Sequence, residues 1–85
     1  DKQRHEVDFV VRTGRRSDLL AIECKAESGK FDPAGLRSFR GRHPEGANLV
    51  VCLDRTEPQT ERIGGMAVRF VPFERLDSTL PESGR

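Results

Sequence analysis

The spacing of hydrophobic and polar positions divides the chain into short elements of different period. Glu6-Val7-Asp8-Phe9-Val10-Val11-Arg12 is rich in β-branched residues and alternates for most of its length, which predicts a strand followed by a polar turn over residues 13–18. Leu19-Leu20-Ala21-Ile22-Glu23-Cys24-Lys25 begins apolar on both faces and then alternates, as expected of a strand whose first half is covered and whose last half meets water or a cleft. The two strands should form a hairpin. Ser28-Gly29-Lys30 reads as loop. Asp32-Pro33 is a helix start, because a carboxylate at the cap accepts orphan N–H groups and proline fits the first helical position. Leu36 and Phe39 give that helix an apolar stripe as far as Arg42, and His43-Pro44-Glu45-Gly46 ends it.

Asn48-Leu49-Val50-Val51-Cys52-Leu53 is apolar without alternation, which predicts a strand buried on both faces and reached by a parallel crossover through the helix. Residues 54–60 read as a polar loop. Met66-Ala67-Val68-Arg69-Phe70-Val71 alternates again, entered through Gly64-Gly65, with Glu61-Arg62-Ile63 as a short strand on the other side of that turn. Pro72 to Leu76 can make one helical turn, and residues 78–85 form a polar, flexible tail. The expected fold is α/β: a mixed sheet of four or five strands with an N-terminal antiparallel hairpin and one crossover helix.

Length and composition narrow the function classes. With 85 residues and 34% hydrophobic positions there is one small domain with a modest core. No apolar run approaches the roughly 20 residues that cross a bilayer, so no membrane role is expected. Cys24 and Cys52 lie in apolar runs without a CxxC pair and read as buried, reduced thiols, which suggests a cytoplasmic protein. The strand pattern starts almost at once, and the chain opens at Asp1, so it reads as a piece of a longer protein.

Arithmetic on the hairpin brings chemistry together. If Arg12 pairs with Leu19, paired positions sum to 31, so Asp8 faces Glu23, Glu6 faces Lys25 and Val10 faces Ala21. The other face then collects Val7, Phe9, Val11, Leu20, Ile22 and Cys24. That set is wholly apolar, and a slip of one residue would mix carboxylates into it, so the parity is favoured. Registers two residues away keep the faces and change only the pairs.

Glu6, Asp8, Glu23 and Lys25 thus share one end of one sheet face. Two carboxylates about 4 Å apart repel by roughly 4 kcal/mol at an effective dielectric of 20, and a single lysine does not offset three acids. A divalent cation does. Carboxylate oxygens suit Mg²⁺ or Mn²⁺, with the Cys24 carbonyl as a further oxygen if the ladder is distorted there. Lys25 projects to the same face, where it can orient a water or stabilise charge growing on phosphorus. The chain carries twelve arginines and three lysines, so a lysine at this inward place is a mild signal of its own.

Glu6-Val7-Asp8-Phe9-Val10-Val11, a turn, and Ala21-Ile22-Glu23-Cys24-Lys25-Ala26 resemble the PD-(D/E)XK nuclease superfamily. More narrowly, the run from Glu6 to Val71-Pro72-Phe73 looks like the nuclease-like domain C-terminal to the ATP-binding domain in a family of prokaryotic AAA-type ATPases. The resemblance implies a restriction-endonuclease-like core over residues 1–77, lacking its first helix and strand, and an ATPase domain upstream in the same chain. It also implies a metal-bridging role for Asp8, the acidic position of the (D/E)xK motif for Glu23, and the motif lysine for Lys25. Glu6 is typical of the narrower family, as an additional ligand or a group behind the ligands. No proline precedes Asp8, a departure from the superfamily pattern.

Arg37, Arg40 and Arg42 form a basic stripe that can meet nucleic-acid phosphates. His5 and His43 lack companions at metal-ligand spacing, and Phe9, Phe39, Phe70 and Phe73 read as packing residues. No GxxxxGK loop is present, so nucleotide binding is not expected of this segment. Two readings follow: a Mg²⁺-dependent nuclease module, and a non-catalytic DNA- or partner-binding module that serves an attached ATPase. A homodimer completing a missing strand in trans is a further expectation.

Overall fold

The computed structural model describes residues 8–12 and 18–76. Five strands, β1 (Phe9–Arg12), β2 (Leu19–Lys25), β3 (Asn48–Cys52), β4 (Gln59–Ile63) and β5 (Met66–Pro72), form one sheet in the order β1-β2-β3-β5-β4. The pairs β1–β2 and β4–β5 are antiparallel, while β2–β3 and β3–β5 are parallel. One helix, α1 (Ala34–Arg42), lies between β2 and β3 in sequence. The expected α/β class, hairpin and crossover are therefore present, with five strands.

Alternation along the strands divides the core into two sets. Ala21, Val50, Cys52, Val68 and Phe70 meet Leu36 and Phe39 of α1 on one face, with Leu19, Phe31, Ile63 and Met66 at the margin. Leu20, Ile22, Leu49, Val51 and Val71 gather on the other, joined by Leu76. Every residue of β3 is buried, which explains its unbroken apolar run: it is the central strand, covered on both sides. A buried leucine or phenylalanine contributes roughly 1.5–3 kcal/mol, so Leu36 and Phe39 suffice to anchor a helix that is otherwise polar.

The helix start has its cap: the Ala34 N–H donates to Asp32 Oδ1 at 3.0 Å, and Pro33 already has helical backbone angles. At the other end of α1, Arg40 ties the helix to the sheet. Its Nε donates to Asn48 Oδ1 (2.8 Å), one terminal nitrogen donates to the carbonyls of His43 and Glu45 (2.9 Å each), and the other to those of Leu19 and Ala47 (2.7 Å each). The adjoining loop extends the parallel ladder, with Leu19 N–H donating to the Glu45 carbonyl and Ala21 N–H to that of Ala47. Gly46 sits inside this junction at φ 132°, where a Cβ would fall 1.9 Å from the Leu19 carbonyl oxygen, so only glycine fits.

Several expectations need correction. Gln59 and Thr60, expected in a loop, belong to β4, because they pair with Phe70 and Arg69 across the Gly64-Gly65 turn. Phe9 and Phe73 are 58% and 60% exposed and do not serve as core residues. The physical reason is position: β1 is a sheet edge, and Phe73 follows the last strand. Cys52 is buried as expected, but Cys24 is exposed, since alternation puts it beyond the covered half of β2. Glu6, Val7, the turn over residues 13–17 and the tail over residues 78–85 lie outside the described residues.

Candidate functional site

The hairpin register is the one expected from sequence. Phe9 pairs with Ile22, Val10 with Ala21, Val11 with Leu20 and Arg12 with Leu19, so each pair sums to 31. Continued by one position, this register sets Asp8 opposite Glu23. Glu23 has the parity of Ala21 and therefore lies on the α1 side of the sheet, and Lys25 shares that parity.

Asp8 is held from the neighbouring strand β2: its Oδ2 accepts the Cys24 N–H at 2.9 Å. The peptide next to Glu23 thus fixes one oxygen of Asp8 and leaves the other for something else. The Cys24 N–H, a group not singled out from sequence, is what ties β2 to the Asp8 carboxylate.

Glu23 is 7% exposed, one of two buried polar side chains among the described residues. Its carboxylate has no hydrogen bond or ion pair there. Burial raises its pKa above the usual glutamate value, the negative charge of Asp8 raises it further, and Lys25 pulls the other way. A fourth charge contributes. Asp32, at the start of α1, adds a smaller upward push on Glu23. This helix-capping aspartate was not recognised as part of the site from sequence; its signal was the antiparallel return of α1 over β2, which brings the start of the helix back to the end of the strand. Lys25 is half-buried and makes no ion pair among the described residues. Glu6, the third acid expected here, lies outside the described residues.

Behind the site, the loops that follow β2 and β3 are fastened to each other. Ser28 donates its N–H (2.9 Å) and hydroxyl (3.2 Å) to Asp54 Oδ2, and Leu53 N–H donates to the Ala26 carbonyl (3.2 Å). The Ser28 N–H, first among several causes, holds the Asp54 carboxyl below its ordinary range. Arg55 donates to the Ser28 hydroxyl, pairs with Glu61 at 3.0 Å and covers the Phe70 ring at 4.5 Å.

The basic stripe is not as expected. All five N–H donors of Arg40 are taken by Asn48 and four carbonyls, so this residue is a structural joint rather than a phosphate contact. Arg37 and Arg42 are exposed. Arg42 closes α1 at the end where Arg40 reaches Leu19, the first residue of β2, while Glu23 and Lys25 lie toward the last; Arg37 is the fourth of the nine helical residues, with its guanidinium beside Gly64.

Among the described residues, no three Asp, Glu, His or Cys side chains stand close enough together to form a ready-made metal cage. The donor set nonetheless suits a hard cation of the Mg²⁺ kind, which takes one or two carboxylates and completes its shell with water and phosphate oxygens. Asp8 with one oxygen uncommitted and Glu23 with a solvent-reached carboxylate that no side chain or backbone group among the described residues engages are two such carboxylates. No helix among the described residues is long and apolar enough to cross a membrane. Comparison with protein-family models, curated proteins and solved structures returns no match.

Proposed function

We propose that the chain is a metal-dependent phosphodiester hydrolase acting on nucleic acid, built on a restriction-endonuclease-like core. The observation that carries this reading is the 31-sum register, which sets Asp8 against Glu23 on the face that also bears Lys25. Glu23 is a buried residue whose carboxylate oxygens still reach solvent and have no protein partner among the described residues, and a carboxylate so placed beside Asp8 is suited to bind or move charge. Asp8 and Glu23 would hold a Mg²⁺ or Mn²⁺ ion, with the Cys24 carbonyl as a further candidate; the ion supplies Lewis acidity toward a phosphoryl oxygen and a more acidic water.

The chain's own residues account for the rest. The Cys24 N–H fixes the orientation of Asp8, so that its remaining oxygen keeps one direction. Glu23, opposite Asp8 in the register, supplies the second carboxylate of the pair. Lys25 places a positive charge on the same face to offset charge building on phosphorus. Glu6 adds a fourth group through the sequence pairing with Lys25. The wider setting belongs to the same reading: an ATPase domain upstream in the longer chain and a cytoplasmic location, the latter supported by two unpaired cysteines.

The test is cleavage of duplex and branched DNA with Mn²⁺ by the wild-type chain beside Asp8→Ala and Lys25→Met. Each substitution is expected to lower the rate by about 100-fold or more, the scale seen when one group stabilising a transition state is removed. Cleavage unchanged in Asp8→Ala overturns the assignment. DNA retained by all three proteins and cut by none supports the second reading, a non-catalytic binding module, which the apolar edge at β1 also favours.

A further inference from the structure

The two edges of the sheet are built differently. The β4 edge reads Gln59-Thr60-Glu61-Arg62-Ile63, with two charges that discourage pairing with another chain. The β1 edge reads Phe9-Val10-Val11-Arg12, and all four residues are exposed, the three apolar ones at 58%, 46% and 37%. An edge of this composition is a template for a further strand.

The occupant is selected by charge. In an antiparallel pair of β1 strands about a two-fold axis normal to the sheet, opposed residues share a face, so their numbers must sum to an even value. A sum of 20 puts the axis at Val10. Val10 then faces the partner's Val10, Phe9 faces the partner's Val11, and Asp8 faces the partner's Arg12, while Arg12 meets the partner's Asp8. A sum of 18 sets Asp8 against the partner's Val10, and a sum of 22 sets Val10 against the partner's Arg12; each wastes a charge on an apolar neighbour. Among residues 8–12, only the sum of 20 gives apolar pairs at the axis with two opposite-charge pairs flanking them.

We propose that β1 pairs with the β1 of a second copy of this chain in that register, joining two sheets of five strands into one. Asp8 has one oxygen engaged by Cys24 N–H and the other free to accept from the partner's Arg12. Each copy thereby contributes a guanidinium to the carboxylate pair of the other. The pairing draws on the same Asp8 oxygen that the proposed function offers to a cation, so mass is measured without added metal.

Mass measured by light scattering on a gel-filtration column tests the pairing. The chain, 9.6 kDa as a monomer, is expected at twice that mass. Val10→Lys sets two ammonium groups on the axis at an already exposed position and should give monomer with an unchanged circular dichroism spectrum. Asp8→Arg and Arg12→Asp should each give monomer, and the double variant Asp8→Arg/Arg12→Asp should restore the dimer by exchanging the charges. A monomeric wild type, a dimer that survives Val10→Lys, or a double variant no better than the singles overturns the proposal. Mass is the readout, so loss of cleavage in Asp8→Arg does not enter the result.

Discussion

Glu23 shows how one side chain can conflict with the fold that contains it. A glutamate whose pKa is raised in the folded chain binds protons more readily there than in the unfolded chain. Its contribution to stability is therefore fully present below the ordinary glutamate value of 4.5 and is lost as pH rises through the raised value. Replacing it with glutamine removes that liability. Glu23→Gln is expected to raise the melting temperature near neutral pH, with a gain that shrinks to nothing as pH falls below the ordinary glutamate range, while any cleavage activity is lost. Thermal scans across pH check this. A gain that is equal at all pH values would mean that packing, not charge, sets the difference. The residue was legible in sequence because period-2 alternation fixes the face, yet its depth was not: burial depends on α1 and β3, which arrive from elsewhere in the chain.

At the scale of elements, strand type and register were readable because each run carries its own period, and a hairpin of two such runs leaves few pairings that keep acids off the apolar face. The start of β4 was not, since Gln59 and Thr60 are polar and are extended only because β5 supplies their partners. Phe9 was misread for a related reason: alternation says which way a side chain points, and only the sheet order says whether anything lies there. The start of α1 was set locally, by Asp32 and Pro33. Asp32→Ala should cost about 1 kcal/mol of stability through the lost cap. Because Asp32 also pushes the Glu23 pKa upward, the same substitution should lower the pH at which Glu23 ionises, a shift readable by carboxyl NMR.

At the scale of the whole molecule, Arg40 joins what the elements leave separate. Its guanidinium binds the first residue of β2, the loop leading to β3 and the Asn48 side chain, whose own amide donates to the Ala67 carbonyl beside it in β5 at 3.0 Å. Arg40→Met keeps the length of the side chain and removes all five donors. The expected cost is about 3 kcal/mol, the scale of hydrogen bonds to a charged group together with carbonyls left unsatisfied, and urea unfolding followed by circular dichroism measures it. Sequence gave no hint of this role, because Arg37, Arg40 and Arg42 look alike on a helical projection and only the tertiary return of the Gly46 loop distinguishes the middle one.

The direction of α1 has a consequence for any duplex lying along it. Nine helical residues at 1.5 Å each span roughly 13 Å, about four base-pair steps of B-form DNA. On the proposed reading, Arg42 would grip the backbone about that far from the bond being broken, leaving a footprint displaced to one side of the cut rather than centred on it.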